Sequence, residues 1–236
     1  MTDLVSYVFA DGVATLTMDD GKANAIGPAM QAALNAALDR AEADKALVVL
    51  TGRPGVFSGG FDLSVFKAGD ARTTFQMLTG GAQLAQRMLA YPHPVIAACS
   101  GHAVAMGLFL LQCADVRVGL KAGATFQANE VLIGMTLPHF ALETLRHRVT
   151  TPHLPLVGTA SAYAGDDAVR AGLLDEAVAP ESLAAAVMAQ VDRLKKAHPA
   201  SFTATKQRLN APVLGAMPAA IDNDIADWKR LGAAQA

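Results

Sequence analysis

Two glycine-bearing segments of the chain have the residue types to hold a developing negative charge. The first, Val56-Phe57-Ser58-Gly59-Gly60-Phe61-Asp62-Leu63, follows a short apolar run, Ala46-Thr51, that is closed by Gly52-Arg53-Pro54-Gly55. Such a run reads as a buried strand, so the glycine pair sits at the strand's C-terminal end, where α/β sheets place ligands. Paired glycines let the backbone come close to a ligand and point successive N–H groups outward. The second segment, Ser100-Gly101-His102-Ala103-Val104-Ala105-Met106-Gly107, follows another apolar run, Val95-Cys99, and opens an apolar helix. The free N–H groups and dipole of a helix N-terminus favour negative charge. Taken alone, each segment is more simply an ordinary turn or a plain helix entry. Together they are two amide-presenting turns at strand ends that can converge on one oxygen, the geometry of an oxyanion hole. Nucleophile-elbow, P-loop and dinucleotide glycine patterns do not occur, and no residue cluster has zinc or haem spacing, so no metal is expected.

The elements that must position these turns follow from periodicity. Val5-Phe9 and Val13-Met18 flank Asp11-Gly12, a hairpin signal. Residues 28–43 carry Met30, Leu34, Ala37, Leu38 and Ala41 on one helical stripe, with Pro28 suited to its first turn. Residues 74–91 form a second helix, stopped by Pro92-His93-Pro94. Ala105-Cys113 reads as a short buried helix and Val116-Gly119 as a strand. Alternating strands and helices imply βαβ units and a sheet with helices packed on it. Beyond about residue 138 the strand signal disappears, and 138–149, 180–197, 199–210 and 217–231 all read as helices. The layout is an α/β core followed by a helical C-terminal part.

Bulk properties narrow the function. The chain has 236 residues, 52% hydrophobic and 17% charged, enough for a large core. A formal net charge of -2 offers no basic field for nucleic acid. The opening Met1-Thr2-Asp3-Leu4 lacks a secretory pattern, and the longest apolar stretch, Ala103-Leu111, falls well short of the roughly 20 residues that span a bilayer. A cytoplasmic protein with no membrane partner is expected. Cys99 and Cys113 fit that compartment as free buried thiols.

Four segments in order resemble the crotonase, or enoyl-CoA hydratase/isomerase, superfamily. Gly21-Lys22-Ala23-Asn24-Ala25-Ile26 resembles its early coenzyme A-contacting segment, and Phe57 to Leu63 its F-x-x-G-x-D-L signature. Gly101 to Gly107 with Cys113-Ala114-Asp115 is similar to the second signature, and Phe126 to Gly134 followed by Pro138 to the third. The likeness covers nearly the whole chain. It implies a ClpP-like spiral of ββα units over residues 1–190, a helical trimerisation region over 191–236, and a homotrimer or dimer of trimers. It implies an acyl-CoA substrate, with coenzyme A part of that substrate and no separate cofactor. The amides of Phe61 and Met106 would form the oxyanion hole. Lys22, Ala23, Gly59, Gly60, Phe61, Asp62 and Leu63 would lie along coenzyme A or the substrate, and Lys206 is a further candidate for its phosphates, with a solvated helix lysine as the alternative.

The resemblance also defines the chemistry expected. The family's hydratases use two glutamates to hold and activate a water. In this chain the first position is Phe109 and the second is Glu130. Phenylalanine neither holds a water nor exchanges a proton. One carboxylate in a drier pocket suits a Δ3,Δ2-enoyl-CoA isomerase of fatty-acid metabolism, with Glu130 moving a proton from C2 to C4. Enoyl-CoA hydratase, assisted by Asp62 or Glu143, and a non-catalytic acyl-CoA binder are the alternatives. Phe66, Met77, Leu78 and Phe109 are expected around the acyl chain. His139 either lines that pocket or caps the next helix, His102 takes no part in chemistry, and Arg146-His147-Arg148 reads as a solvated helix end.

Overall fold

The computed structural model describes residues 3–234; Met1 and Thr2, and the last two residues of the expected C-terminal region, lie outside it. Strands β1 (Val5–Ala10) and β2 (Val13–Met18) form the expected antiparallel hairpin. Asp11 and Gly12 both have positive φ, 51° and 76°, the twist that a two-residue hairpin turn requires. From β2 the sheet continues in parallel through β3 (Leu47–Thr51), β5 (Val95–Cys99) and β7 (Val116–Leu120) to β9 (Glu176–Val178). Strand β9 was not expected. It is three residues long, too short for a period-two signal, and its place at the edge comes from pairing with β7.

The sheet is covered on both faces. Val48, Leu50, Val95, Ala97 and Cys99 turn to α1 (Pro28–Ala43) and α3 (Ala71–Ala90), meeting Leu34, Leu38, Leu84 and Met88. Leu47, Val49, Ile96, Ala98, Val116 and Val118 turn the other way, onto Val187, Val191 and Leu194 of α8 (Leu183–Lys195). Strands buried on both faces show unbroken apolar runs, as these do. Cys99 and Cys113 are free and buried, each thiol pushed up to about 12 by that burial.

A second, smaller parallel sheet stands behind the first. It consists of β4 (Gly55–Ser58), β6 (Gly101–Val104) and β8 (Phe126–Gln127), each following a main-sheet strand. The first two of these segments were expected as a turn and a helix entry, and the third carried no secondary-structure expectation. Four, four and two residues do not show a strand period, and only their mutual pairing makes them a sheet.

After α2 (Leu63–Lys67), α4 (Met106–Gln112), α5 (His139–Arg148), α6 (Leu154–Gly158) and α7 (Gly165–Ala171), the chain ends in α9 (Pro199–Ala234). The two helices expected at 199–210 and 217–231 are one helix of 36 residues with Pro212 and Pro218 inside it. Proline costs the helix a hydrogen bond locally, but docking along α3 and α5 keeps the axis running. No described helix is long and apolar enough to cross a membrane.

Candidate active site

The glycine pair at the end of β4 is knitted to the loop after β2. Ser58, fully buried, donates its hydroxyl to Asn24 O at 2.8 Å and accepts Gly60 N–H at 3.2 Å. Gly59 N–H donates to Ala23 O at 2.8 Å, and Ile26 N–H to Gly60 O at 2.8 Å. Asn24 takes a left-handed φ of 50°, and its side-chain amide donates to Met18 O at 3.0 Å and Phe57 O at 3.2 Å. The Asp20 carboxylate gathers the amides of Lys22, Asn24 and Ala25 at 2.7–2.9 Å. Burial pushes this carboxyl up, but those amides outweigh burial and hold it below the usual carboxylate range.

The second turn meets the first directly. Gly60 has φ of 99°, and a Cβ there would stand 2.8 Å from Ala105 Cβ and 3.4 Å from Met106 N, so only glycine fits. Ala105 precedes α4 with φ 49° and ψ −125°, a strained conformation for alanine, and its N–H donates to Gln127 O at 2.9 Å. Met106 is the first residue of α4, so its N–H has no partner within the helix. The amides of Gly59, Gly60 and Ala105 are taken by Ala23 O, Ser58 Oγ and Gln127 O, and none of these hydrogen bonds uses the amides of Phe61 or Met106. The Phe61 ring and the Met106 methyl lie together over Gly81 of α3, where a Cβ would be 2.5 Å from Phe61 Cε1 and 3.5 Å from Met106 Cε.

Glu130 follows β8 and opens a 3-10 turn over Glu130–Ile133. It is 5% exposed, and its Oε2, like Oδ1 of the adjacent Asn129, is buried without a hydrogen-bond partner. Burial pushes its carboxyl up to about 7, into the range where one group both takes and returns a proton near neutrality. Phe109 lies one turn along α4 from Met106, fully buried, with its ring edge-to-face against Phe140 at 5.9 Å. Met77 and Leu78 are buried on α3, and Phe66 is half-buried on α2.

Lys22 and Ala23 are exposed beside Gly59, with Lys22 O held by Arg53 Nε at 2.8 Å. Leu63 is exposed.

Other expectations are corrected. Asp62 is committed as the N-cap of α2, accepting Ser64 N–H at 2.9 Å and its hydroxyl at 2.7 Å, while Glu143 pairs with Arg146 on the surface. Lys206 is neither solvated nor offered to a phosphate: it is 5% exposed, with Nζ 2.7 Å from Asp115 Oδ2 and 3.1 Å from His93 O. The His139 side chain does not cap α5. The cap is Asp224 of α9, which accepts His139 N–H at 2.8 Å and Phe140 N–H at 2.9 Å, and the half-exposed imidazole faces Asp227 at 3.4 Å. Only Arg146 of the expected solvated helix end is exposed as such. His147 bonds Asn210 at 3.0 Å, and Arg148 caps the end of α4 through Gln112 O at 3.2 Å and Ala114 O at 2.8 Å. His102 is exposed on β6, accepting Thr125 N–H at 3.1 Å.

Sequence reasoning passed over the structural roles of Asn24, Ser58 and Gln127. Asn24 carried a usable signal, because asparagine tolerates left-handed φ where a loop must turn. Ser58 and Gln127 carried none, since their partners are distant in sequence.

A family model described as Enoyl-CoA hydratase/isomerase matches residues 9–235. A probable enoyl-CoA hydratase of Rhodobacter capsulatus is 29% identical over 217 residues, which span 91% of this chain and 84% of the relative. Among solved structures, an Mtb enoyl-CoA isomerase is similar at TM-score 0.90 and 45% identity, with 96% of this chain and 99% of that one covered. A second structure of that same protein, described there as a probable enoyl-CoA hydratase, EchA3 of Mycobacterium tuberculosis H37Rv, is similar at TM-score 0.93 and 44% identity, with 96% and 97% covered.

Proposed function

Because the chain belongs to the enoyl-CoA hydratase/isomerase family of crotonase-fold enzymes, we propose that it shifts the double bond of 3-enoyl-CoA thioesters to the conjugated 2-position. Glu130 removes a proton from C2, and the C2–H electron pair moves toward the thioester carbonyl. The amides of Phe61 and Met106 receive the charge that builds on that oxygen, and the same carboxyl returns the proton at C4. The reaction balances with no other reactant. The coenzyme A portion runs past Lys22, Ala23, Gly59 and Gly60, whose loops are stitched together beside the donor turns.

One observation carries this reading. Glu130 is a buried carboxyl pushed up to about 7, and the position that resembles the hydratases' first glutamate is the fully buried Phe109. A single titrating group with a pKa near the working pH suits return of the same proton two carbons along, at C4. The similar M. tuberculosis protein is described as an isomerase in one structure and as a probable hydratase in another, so its names favour neither activity. The homotrimer or dimer of trimers and the place in fatty-acid metabolism rest on the family resemblance.

The wild type is expected to convert 3-hexenoyl-CoA to its 2-enoyl isomer. Replacing Glu130 with Gln should lower kcat by about 10²–10⁴-fold with coenzyme A affinity retained. A folded wild type that leaves 3-hexenoyl-CoA unchanged would sink the reading.

Hydration is the second reading, favoured by the unpartnered Asn129 Oδ1 beside Glu130 and by the hydratase names of relatives. Two buried acceptors can take the hydrogens of one water. Faster hydration of crotonyl-CoA than isomerisation of 3-hexenoyl-CoA would select it.

A further inference from the structure

Two alanines near the site hold positive φ, Ala105 at 49° and Ala160 at 68°, and one residue is bonded to both. The main-chain oxygen of Gln127 accepts Ala105 N–H at 2.9 Å, and its side-chain Nε2 donates to Ala160 O at 2.7 Å. Side chains with a Cβ stay in such conformations only where their surroundings over-determine them. Gln127 ends β8, which pairs with β6 through Ala103–Phe126 and Val104–Gln127. On its other side, Phe126 and Tyr163 exchange hydrogen bonds at 2.9 and 3.0 Å. The ladder stops at Gln127, and Glu130 stands three residues further on. The residue that holds the N–H of Ala105, immediately before Met106, is therefore also the last ladder position before the buried acid.

We propose that Gln127 is a positioning residue whose clasp on Ala160 O fixes β8, so that the Met106 amide and the Glu130 carboxyl face the same substrate. The inference rests on the oxyanion-donor and base roles given above. The Ala105 conformation aims the amide that follows it, and Gln127 O holds Ala105 N–H in place. A slack β8 would let both groups drift together while leaving the coenzyme A loops, tied through Asn24 and Ser58, as they are.

The test compares two ligands on the purified full-length enzyme: acetoacetyl-CoA, whose bound enolate is read by its absorbance, and saturated butyryl-CoA. The Gln127→Met variant keeps the side-chain length and loses the donor. It is expected to weaken enolate binding by about 10- to 100-fold. Butyryl-CoA affinity should stay within about threefold, because ground-state binding does not use the transition-state geometry. The Gln127→Lys variant, which restores a donor, should recover most of the loss. Should Gln127→Met fail to fold, Gln127→Asn, one methylene too short for Ala160 O, carries the same expectation. Equal weakening of both ligands, or no weakening of either, overturns the proposal. A wild type that shows no enolate band removes the donor reading and this inference with it. A wild type with the band but no 3-hexenoyl-CoA turnover counts against isomerisation alone.

Discussion

Glu130 concentrates the electrostatics of the site in one side chain. Its carboxyl is pushed from 4.5 to about 7 by burial, and its own backbone N–H only partly offsets this. A carboxyl whose folded pKa is raised binds protons more tightly in the native state than in the unfolded one. Native stability is therefore undiminished below about pH 4.5, falls as pH rises toward about 7, and is flat above that. The shift corresponds to about 3 kcal/mol on the ionised side. Glu130→Gln removes the ionisation. Its midpoint of urea unfolding should match wild type near pH 4 and exceed it at pH 8, with the gap opening between those values. Equal midpoints at pH 8 would mean that the carboxyl is solvated. Such a cost to stability at one buried acid is what catalytic groups commonly carry.

Helix α9 shows how one element secures others. Its inward face repeats at three- and four-residue steps through Lys206, Asn210, Val213, Met217, Ile221 and Asp224, and the polar members each meet a defined partner. Asn210 donates to Leu89 O at 2.9 Å, and Asp224 takes the first two amides of α5. Lys206 reaches Asp115, whose Oδ2 also accepts Val95 N–H at 2.8 Å where β5 begins. Burial pulls the Lys206 ammonium below its usual range, and the Asp115 charge opposes that pull. The pair has little contact with water, with side chains 4% and 14% exposed. Removing one member leaves an uncompensated charge, so Lys206→Met is expected to cost about 3–5 kcal/mol, read from the denaturant midpoint. Affinity for coenzyme A should be unchanged. A weakened affinity in a folded variant would return Lys206 to the binding site.

Across the whole molecule, the two faces of the main sheet are closed by helices from different ends of the chain. Helices α1 and α3 cover one face and α8 the other, while α9 lies along α3 and α5. The single tryptophan, Trp228, packs against the first of these cores from within α9. Denaturation followed by Trp228 fluorescence and by far-ultraviolet circular dichroism should therefore give coincident transitions. An earlier fluorescence change would mean that the C-terminal helix melts independently of the sheet. That outcome would favour a division of the chain near residue 190.

The main strands, helices α1, α3 and α5, and the two glycine turns were legible in the residues, because apolar runs and stripes report burial directly and glycine pairs report close backbone approach. The position of Glu130 also followed from the order of motifs. The second sheet, the unbroken α9 and the edge strand β9 were not legible, because strands of two to four residues and a helix containing two prolines are made by partners distant in sequence. Charge pairing was similarly out of reach. Whether Lys206 met water, a phosphate or Asp115, and whether Asp62 acted on substrate or capped α2, depended on which groups the fold brought within 3 Å. Local sequence determined which backbone could present amides to an anion. Only the tertiary structure decided that Gly60 and Met106 would meet, that Glu130 would be dry, and that Gln127 would hold the N–H of Ala105 from the strand that leads to that acid. Each of these is a contact between segments that no periodicity links.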